Sequence, residues 1–444
     1  MKQTRRVLGF IAAVLLATNA WAQMQLTYSV AEATETVMPD GSKLVQLPAG
    51  TDLNNIISGV AIGGQSVDAS TVIPDPTRTL ITDGEIETFV YGGKAYSYRF
   101  VAGEYFTMVI FSDPHVDTDA IKGTFATQVN NVLNMNKPGG KTVTFAKAPK
   151  GFVPTVDIAF CLGDMDEDKE QDASSPGQFY KDATAAFNNA GIPFITLYGN
   201  HDLAPDYWTG EDGSKGLTYG STGGSGYNDK SIAIVKEHLS QAKNNGIEDV
   251  NVFKDNSLNC DVQIEPFAFL FKGVRFYVGH TYWFQKPYSK PGLFSSAKYY
   301  APDGVIAVLD AYVDAHSTEP AVWMQHFPFV SEADSKNARW WLDQNDVGKC
   351  IMPNNASSSA YYNGGANVKY DSAEGIALAN KKRETLAAII NKTQNPVHFS
   401  GHVHKYDEHT YKGFKDYSVA QPGNAYVVLC KEGVGVIEVQ RVTF

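Results

Sequence analysis

Seven short apolar runs recur along the chain beyond residue 104, at residues 105–111, 156–162, 192–198, 274–279, 321–325, 397–400 and 425–430. Stretches of helical character lie between several of them, at 182–189, 231–244 and 373–391. Buried strands alternating with helices predict an α/β layered fold over residues 104–444. Residues 23–103 read differently, as short strands punctuated by turn signals. Residues 88–91 and 95–101 flank Gly92-Gly93-Lys94 in the manner of a tight hairpin. In its second strand Tyr96, Tyr98 and Phe100 alternate with Ser97 and Arg99, a period of two. Residues 58–62 form a piece of similar length, and the whole segment predicts a small all-β sandwich. Two stretches interrupt the later rhythm. Residues 203–230 are rich in Gly, Ser and Tyr, and residues 345–372 are polar and Asn-rich. Both are too long for simple connections and are expected to be rim loops over a site.

Residues 1–22 have the layout of an export signal. Lys2, Arg5 and Arg6 precede an apolar core at 7–17, and Ala20-Trp21-Ala22 is a small-residue cleavage site before Gln23. The core is short for a bilayer-spanning helix, the alternative being an uncleaved anchor. No later stretch offers 18 consecutive apolar residues. The expectation is a periplasmic or secreted mature chain with no transmembrane segment. Export implies an oxidising compartment. Cys161, Cys260, Cys350 and Cys430 allow three complete pairings, between which the sequence does not choose. Cys161 ends an apolar run and reads as a buried thiol. No C-x-x-C spacing occurs, which argues against a cysteine zinc or redox site.

Composition narrows the function classes. Hydrophobic residues make up 43% of the chain, with 24 Phe and 23 Tyr, enough to bury a sizeable core and to exclude general disorder. Lys and Arg number 37 against 48 Asp and Glu, a net charge of −11 that cleavage of residues 1–22 takes to −14. A binder of nucleic-acid backbones carries the opposite sign or a basic patch, and the sequence shows neither.

The chemistry-bearing residues sit just after the apolar runs. They are Ser112-Asp113-Pro114-His115, Gly163-Asp164, Gly199-Asn200-His201-Asp202, Gln325-His326 and Gly401-His402-Val403-His404. Strand ends are where α/β sheets place their sites. Singly, each group reads equally as a hydrogen-bonded structural pair. Together they hold five of the ten histidines. Oxygen and imidazole donors suit borderline divalent cations such as Zn, Mn or Fe. The donors exceed one metal's needs, and a shared carboxylate is the simple way to hold two ions close together.

The order Asp-x-His, Gly-Asp, Gly-Asn-His-Asp, His, Gly-His-x-His resembles the calcineurin-like metallophosphoesterase family over about residues 104–440. The resemblance implies a two-sheet β-sandwich flanked by helices, with a two-metal site at the strand ends. It assigns one metal to Asp113, His115, Asp164 and His404, and the other to Asp164, Asn200, His326 and His402, with Asp164 bridging. His201 would face the phosphoryl group and assist the leaving oxygen as an acid, with Asp202 orienting it. A bridging hydroxide would attack phosphorus in a mono- or diester, with no covalent intermediate. Residues 23–103 loosely resemble the immunoglobulin-like domains that precede catalytic domains in exported bacterial proteins. Two positions depart from the family pattern. Glu167 followed by Asp168 stands where an Asp and a basic residue are usual, and Asp202 where many members have Glu.

Other residues have plainer readings. Asp117 is expected to be exposed or to support a ligand, and His280 to be structural at a strand end. His398 is expected to pack in a core, while His238, His316 and His409 are given no role. Residues 282–300 read equally as a contact for an anionic or aromatic substrate and as a packed surface loop, and Tyr207-Trp208 is the candidate cleft wall. The competing functions are a non-catalytic exported binding or surface protein working through the N-terminal sandwich, and a mononuclear or structural metal site.

Overall fold

The computed structural model describes residues 23–38, 40–116, 119–149, 152–165, 178–199, 207–209, 215–217, 226–253, 266–279, 302–329, 360–363, 366–369 and 373–444. Asn200, His201 and Asp202 lie outside these residues, as do the export segment, Asp117, Glu167, Asp168, Cys260, His280, residues 282–300 and Cys350. The chain divides into two compact units. One is Met1–Glu104 with Ala148–Phe152, and the other is Tyr105–Lys147 with Val153–Phe444.

Among the described residues the first unit has seven strands: β1 (Met24–Tyr28), β2 (Thr34–Val37), β3 (Lys43–Leu47), β4 (Ile57–Ile62), β5 (Gln65–Val67), β6 (Ile86–Tyr91) and β7 (Lys94–Ala102). They form a sheet β1-β4-β5 and a sheet β2-β3-β7-β6, in which β3 and β7 run parallel. Both sheets feed one core: Met24, Leu26 and Val60 from the first, Val45, Phe89, Tyr98 and Phe100 from the second. Tyr98 and Phe100 are the inward members of the period-two strand, and the Tyr98 hydroxyl donates to the Met24 carbonyl at 2.5 Å. The β6–β7 turn is one residue tighter than expected, because Lys94 pairs with Tyr91 inside the ladder. Gly92 and Gly93 alone turn the chain, with φ of 57° and 78°. Two successive left-handed residues match the twist of a hairpin, and glycine adopts them without steric cost.

In the second unit the order is β8 (Tyr105–Phe111), α1 (Asp119–Leu133), β9 (Ile158–Cys161), α2 (Gln178–Asn189), β10 (Phe194–Thr196), β11 (Tyr207–Thr209), β12 (Lys215–Leu217), α3 (Gly226–Asn244), β13 (Glu248–Val252), β14 (Phe267–Phe271) and β15 (Val274–Val278). It continues with α4 (Pro302–Ala315), β16 (Pro320–Met324), β17 (Ala360–Asn363), β18 (Ala366–Lys369), α5 (Ala373–Ile390), β19 (Gln394–Ser400), β20 (Asp407–Tyr411), β21 (Phe414–Ser418), β22 (Asn424–Lys431) and β23 (Gly435–Thr443). Two mixed sheets dominate. The smaller runs β10-β9-β8-β22-β23, with β10, β9 and β8 parallel. The larger runs β13-β14-β15-β16-β19-β21-β20, with β15, β16, β19 and β21 parallel.

Aromatic rings fill the space between these sheets. Phe160 of β9 stacks on Phe276 of β15 at 5.4 Å, Phe106 of β8 meets Phe271 of β14 at 5.5 Å, and Phe399 of β19 meets Tyr426 of β22 at 6.0 Å. Helices cover the outer faces. Phe125 of α1 and Phe187 of α2 pack on Phe111. On the other side Tyr277 and Trp323 join Leu309 and Val313 of α4 and Leu386 and Ile390 of α5 in one cluster. Phe276 therefore faces the opposing sheet while Tyr277 faces the helices, the alternation of a strand buried on both sides. Burying each such ring stabilises the unit by about 1.5–3 kcal/mol.

The two polar insertions are not plain loops. The first carries the β11–β12 hairpin and the start of α3, and the second carries the β17–β18 hairpin. In the second, Tyr361-Tyr362 precedes Asn363-Gly364, a strand former followed by a turn former. Among the described residues no helix is long and apolar enough to cross a membrane.

Candidate metal centre

Six donor residues from four strands meet at one end of the second unit. Asp113 and His115 follow β8, Asp164 follows β9, His326 follows β16, and His402 and His404 follow β19. Backbone pairing continues past the strand ends and fixes these segments against each other. Leu162 N–H donates to Phe111, Asp113 N–H to Gly163, and His115 N–H to Asp164, at 3.0–3.1 Å. Across the other sheet Gly401 N–H donates to the His326 carbonyl at 2.9 Å.

The segments turn sharply. Asp113, His115, Asp164, His402 and His404 have φ of 53°, 43°, 53°, 67° and 57°. The left-handed region costs a non-glycine residue about 1 kcal/mol or more, so five such residues in one place mark a site built for something other than stability. Glycine supplies the room. A Cβ on Gly199 would lie 2.0 Å from Asp164 Oδ1 and 2.2 Å from its backbone nitrogen, and one on Gly401 would lie 1.8 Å from Ser112 Oγ.

The donors form two overlapping tetrads, Asp113, His115, Asp164 and His404, and Asp113, Asp164, His326 and His402. Within each, one ligand atom per residue lies within 4.8 Å of the others. His326 Nε2 is 3.3 Å from Asp164 Oδ2, and His115 Nε2 is 3.9 Å from the same oxygen. His404 Nε2 is 3.3 Å from both Asp113 Oδ1 and His115 Nε2. His402 N–H donates to both oxygens of Asp113, at 3.0 and 2.8 Å. Asp113 and Asp164 are 0% and 1% exposed, whereas the His404 side chain is 39% exposed, so the cluster opens on one side.

Backbone and side-chain partners set the imidazoles. His326 Nδ1 donates to the Leu162 carbonyl at 2.7 Å, which leaves Nε2 to face Asp164. His404 Nδ1 lies 2.7 Å from the Gln421 amide. Burial works against a charged His326, but the charge and hydrogen bond of Asp164, with Asp113 behind it, outweigh that and raise its pKa to about 9. For His404 burial again opposes charge, and the hydrogen bond and charge of Asp113 prevail, so its pKa rises. Nearly inaccessible carboxylates packed against imidazoles are donor chemistry that a cation can neutralise. Oxygen and nitrogen donors at this spacing fit a metal ion, and these residues could hold one.

The structure gathers every described donor that the sequence singles out: Asp113, His115, Asp164, His326, His402 and His404. Asn200, His201 and Asp202 fall outside the described residues. Asp113 occurs in both tetrads, whereas the sequence reading shares only Asp164. Gln421 and the Leu162 carbonyl carry no sequence signal, one being an ordinary turn residue and the other a backbone group. Of the remaining histidines, His238 is buried against Thr196 and His398 against Asp416. His316 joins Glu319, and His409 joins Asp407. Cys161 and Cys430 are buried free thiols.

No family model and no curated protein sequence matches the chain. Solved structures similar to it include a dimetal phosphatase from Danio rerio, 12% identical over 76% of this chain and 99% of that one, with a TM-score of 0.36. A candidate 5'-nucleotidase from Staphylococcus aureus is 12% identical over 77% of this chain and 54% of that one, with a TM-score of 0.35. The phosphopantetheinyl hydrolase of Mycobacterium tuberculosis is 14% identical over 72% of this chain and 92% of its own, with a TM-score of 0.32. At these identities and scores the likenesses decide nothing about chemistry, and the donor cluster carries the case.

Proposed function

We propose that the second unit is a hydrolase of phosphate mono- or diesters that works with two divalent cations, on a calcineurin-like metallophosphoesterase layout. The observation behind this reading is the pair of tetrads sharing Asp113 and Asp164 at the ends of parallel strands. His115 and His404 complete one ion's donors. His326, His402 and Asn200 complete the other's. A bound cation pair supplies neutralisation of an anionic ester and a water nucleophile at neutral pH.

The chain's own residues do the rest. Asp164 and Asp113, fixed by backbone pairing, set the spacing of the two sites. His326 keeps its Nδ1 proton on Leu162 and presents Nε2 inward. His404 leaves an open side through which a substrate enters. His201 carries a ring proton to the departing ester oxygen, and Asp202 orients that ring. The first unit is read as an immunoglobulin-like spacer or cap, and residues 1–22 as a signal that sends the protein to the periplasm or outside the cell.

Full-length mature protein assayed on aryl phosphomonoesters and diesters with added Mn or Zn tests the reading. Metal-dependent release from one class, lost in His201→Ala with metal content unchanged, is the expected result. No metal-dependent release from either class by folded, metal-loaded protein would falsify it.

A further inference from the structure

The segment that carries His326 is held at several backbone groups. Gln325 N–H donates to Phe399 O at 3.1 Å, and Gly401 N–H donates to His326 O. The Gln325 side-chain amide donates to Phe327 O at 2.6 Å. Phe329 is gripped at both ends: its N–H donates to Asp416 Oδ2 at 2.8 Å, and its carbonyl accepts from Arg383 at 3.0 Å. Its ring lies against His398, Tyr411 and Phe414, with centroids 4.9–5.3 Å away.

Asp416 sits on β21 beside His398 on β19, and both are 1% exposed. His398 Nδ1 donates to Asp416 Oδ1 at 2.7 Å. That bond occupies one carboxylate oxygen and turns the other toward Phe329. A buried carboxylate needs such a full set of donors, and a set that includes a loop amide makes the carboxylate a fastener for that loop.

The loop's own cargo is Phe327. Its ring stands edge-on to His402, with centroids 4.6 Å apart at 87°, and against His326 at 5.2 Å and 65°. These are the two imidazoles confined to the second tetrad. Among the described residues, the ring contact recorded for His115 and for His404 is with each other. Whatever fixes Phe327 therefore bears first on the cation site of those two imidazoles.

We propose that Asp416 is a positioning residue for the metal site of His326 and His402, acting through Phe329 and Phe327 without touching either ligand. This rests on the two-cation reading above. Groups that hydrogen-bond a ligand directly are worth roughly 10- to 100-fold in metal affinity, and a support acting through packing belongs at the lower end of that range.

The test is a titration of metal-free full-length mature protein with Co2+ alone, followed by calorimetry and visible absorption. Wild-type protein is expected to take up two equivalents. A wild-type chain that takes up none overturns the two-cation reading and this inference with it. Given two equivalents in wild type, Asp416→Ala should keep one at wild-type affinity with its absorption bands unchanged, and weaken the other at least tenfold. Asp416→Asn, with its amide oxygen accepting from Phe329 N–H and its NH2 donating to His398 Nδ1 in the other tautomer, should recover most of that loss. Arg383→Met frees the other end of Phe329 and should shift the same equivalent, so it decides the matter if Asp416→Ala does not fold. Arg275→Met is the control for general destabilisation. It breaks ion pairs to Asp249 and Glu319 near the start of β15, and should lower the melting temperature while leaving both equivalents intact. The inference is overturned if the Asp416 and Arg383 variants bind both equivalents as wild type does. It is equally overturned if they weaken both together, as a loosened fold would.

Discussion

At the residue scale, the cluster's behaviour follows from which donors are shared. Asp113 and Asp164 each supply an oxygen to both tetrads, while His326 and His404 serve one each. Asp113→Ala and Asp164→Ala should therefore both abolish uptake of two ions, and His404→Ala should remove one. A sole bridge at Asp164 predicts instead that Asp113→Ala retains an ion, so metal content per chain separates the two arrangements. Gly199→Ala should mimic Asp164→Ala, because the added methyl falls within 2.2 Å of Asp164 backbone and side chain alike, and crowding of that kind costs about 1–3 kcal/mol. Protons compete for the same nitrogens. His326 titrates near 9 in the metal-free fold against an ordinary 6.5. Its ion pair with Asp164 stabilises that fold fully below pH 6.5, and the contribution disappears as pH rises through about 9. Metal binding at pH 7.5 must then expel about one proton from His326. Calorimetry in buffers of different ionisation enthalpy should show that release, and a heat independent of buffer would contradict it.

At the scale of elements, β10 and the helices over it are locked by a buried polar chain. Tyr180 of α2 and His238 of α3 both hydrogen-bond the Thr196 hydroxyl at 2.8 Å. Burial holds the His238 pKa down at about 4. The fold thus favours the neutral ring. Stability is intact above pH 6.5 and drains away as pH falls from 6.5 toward 4, by about 2 kcal/mol at pH 5. His238→Gln keeps a partner for Thr196 and cannot charge. Urea midpoints at pH 7 and pH 5 should differ less in the variant than in wild type. Nothing in the sequence announces this role, because a histidine on an amphipathic helix looks the same whether it faces solvent or a threonine. Strands show the same divide. The central runs that end at Phe111, Cys161 and Met324 are legible as continuous apolar stretches, since both faces are buried. The edge strands β13 and β20, exposed or half-buried at every position but Tyr411, carry no such stretch and escape the pattern. The site was legible for a related reason. Strand ends flagged by glycine, aspartate and histidine stand out, whereas Phe327 and Asp416 look like ordinary core and strand residues.

At the scale of the whole molecule, every described donor belongs to the second unit, so a bound metal should stabilise that unit's fold by mass action. The tryptophans make this measurable. Trp208, Trp283, Trp323, Trp340 and Trp341 all fall after residue 105, and the sixth, Trp21, falls within the export segment. Once that segment is removed, tryptophan fluorescence reports the second unit alone. Trp323 is buried and stacks on Tyr277 at 4.1 Å, in the cluster that packs the larger sheet onto α4 and α5. Free metal at 100 times Kd adds about 2.7 kcal/mol per site, and two sites nearly double that. For a unit of about 335 residues, each kcal/mol moves the melting temperature by roughly 1.5 °C. Fluorescence-detected melting should therefore rise by about 8 °C on loading with Mn or Zn, and return on chelation. Asp164→Ala protein should melt at one temperature with or without metal. A metal-induced shift that survived in Asp164→Ala would place the ions elsewhere on the chain, and the cluster would lose its claim to them.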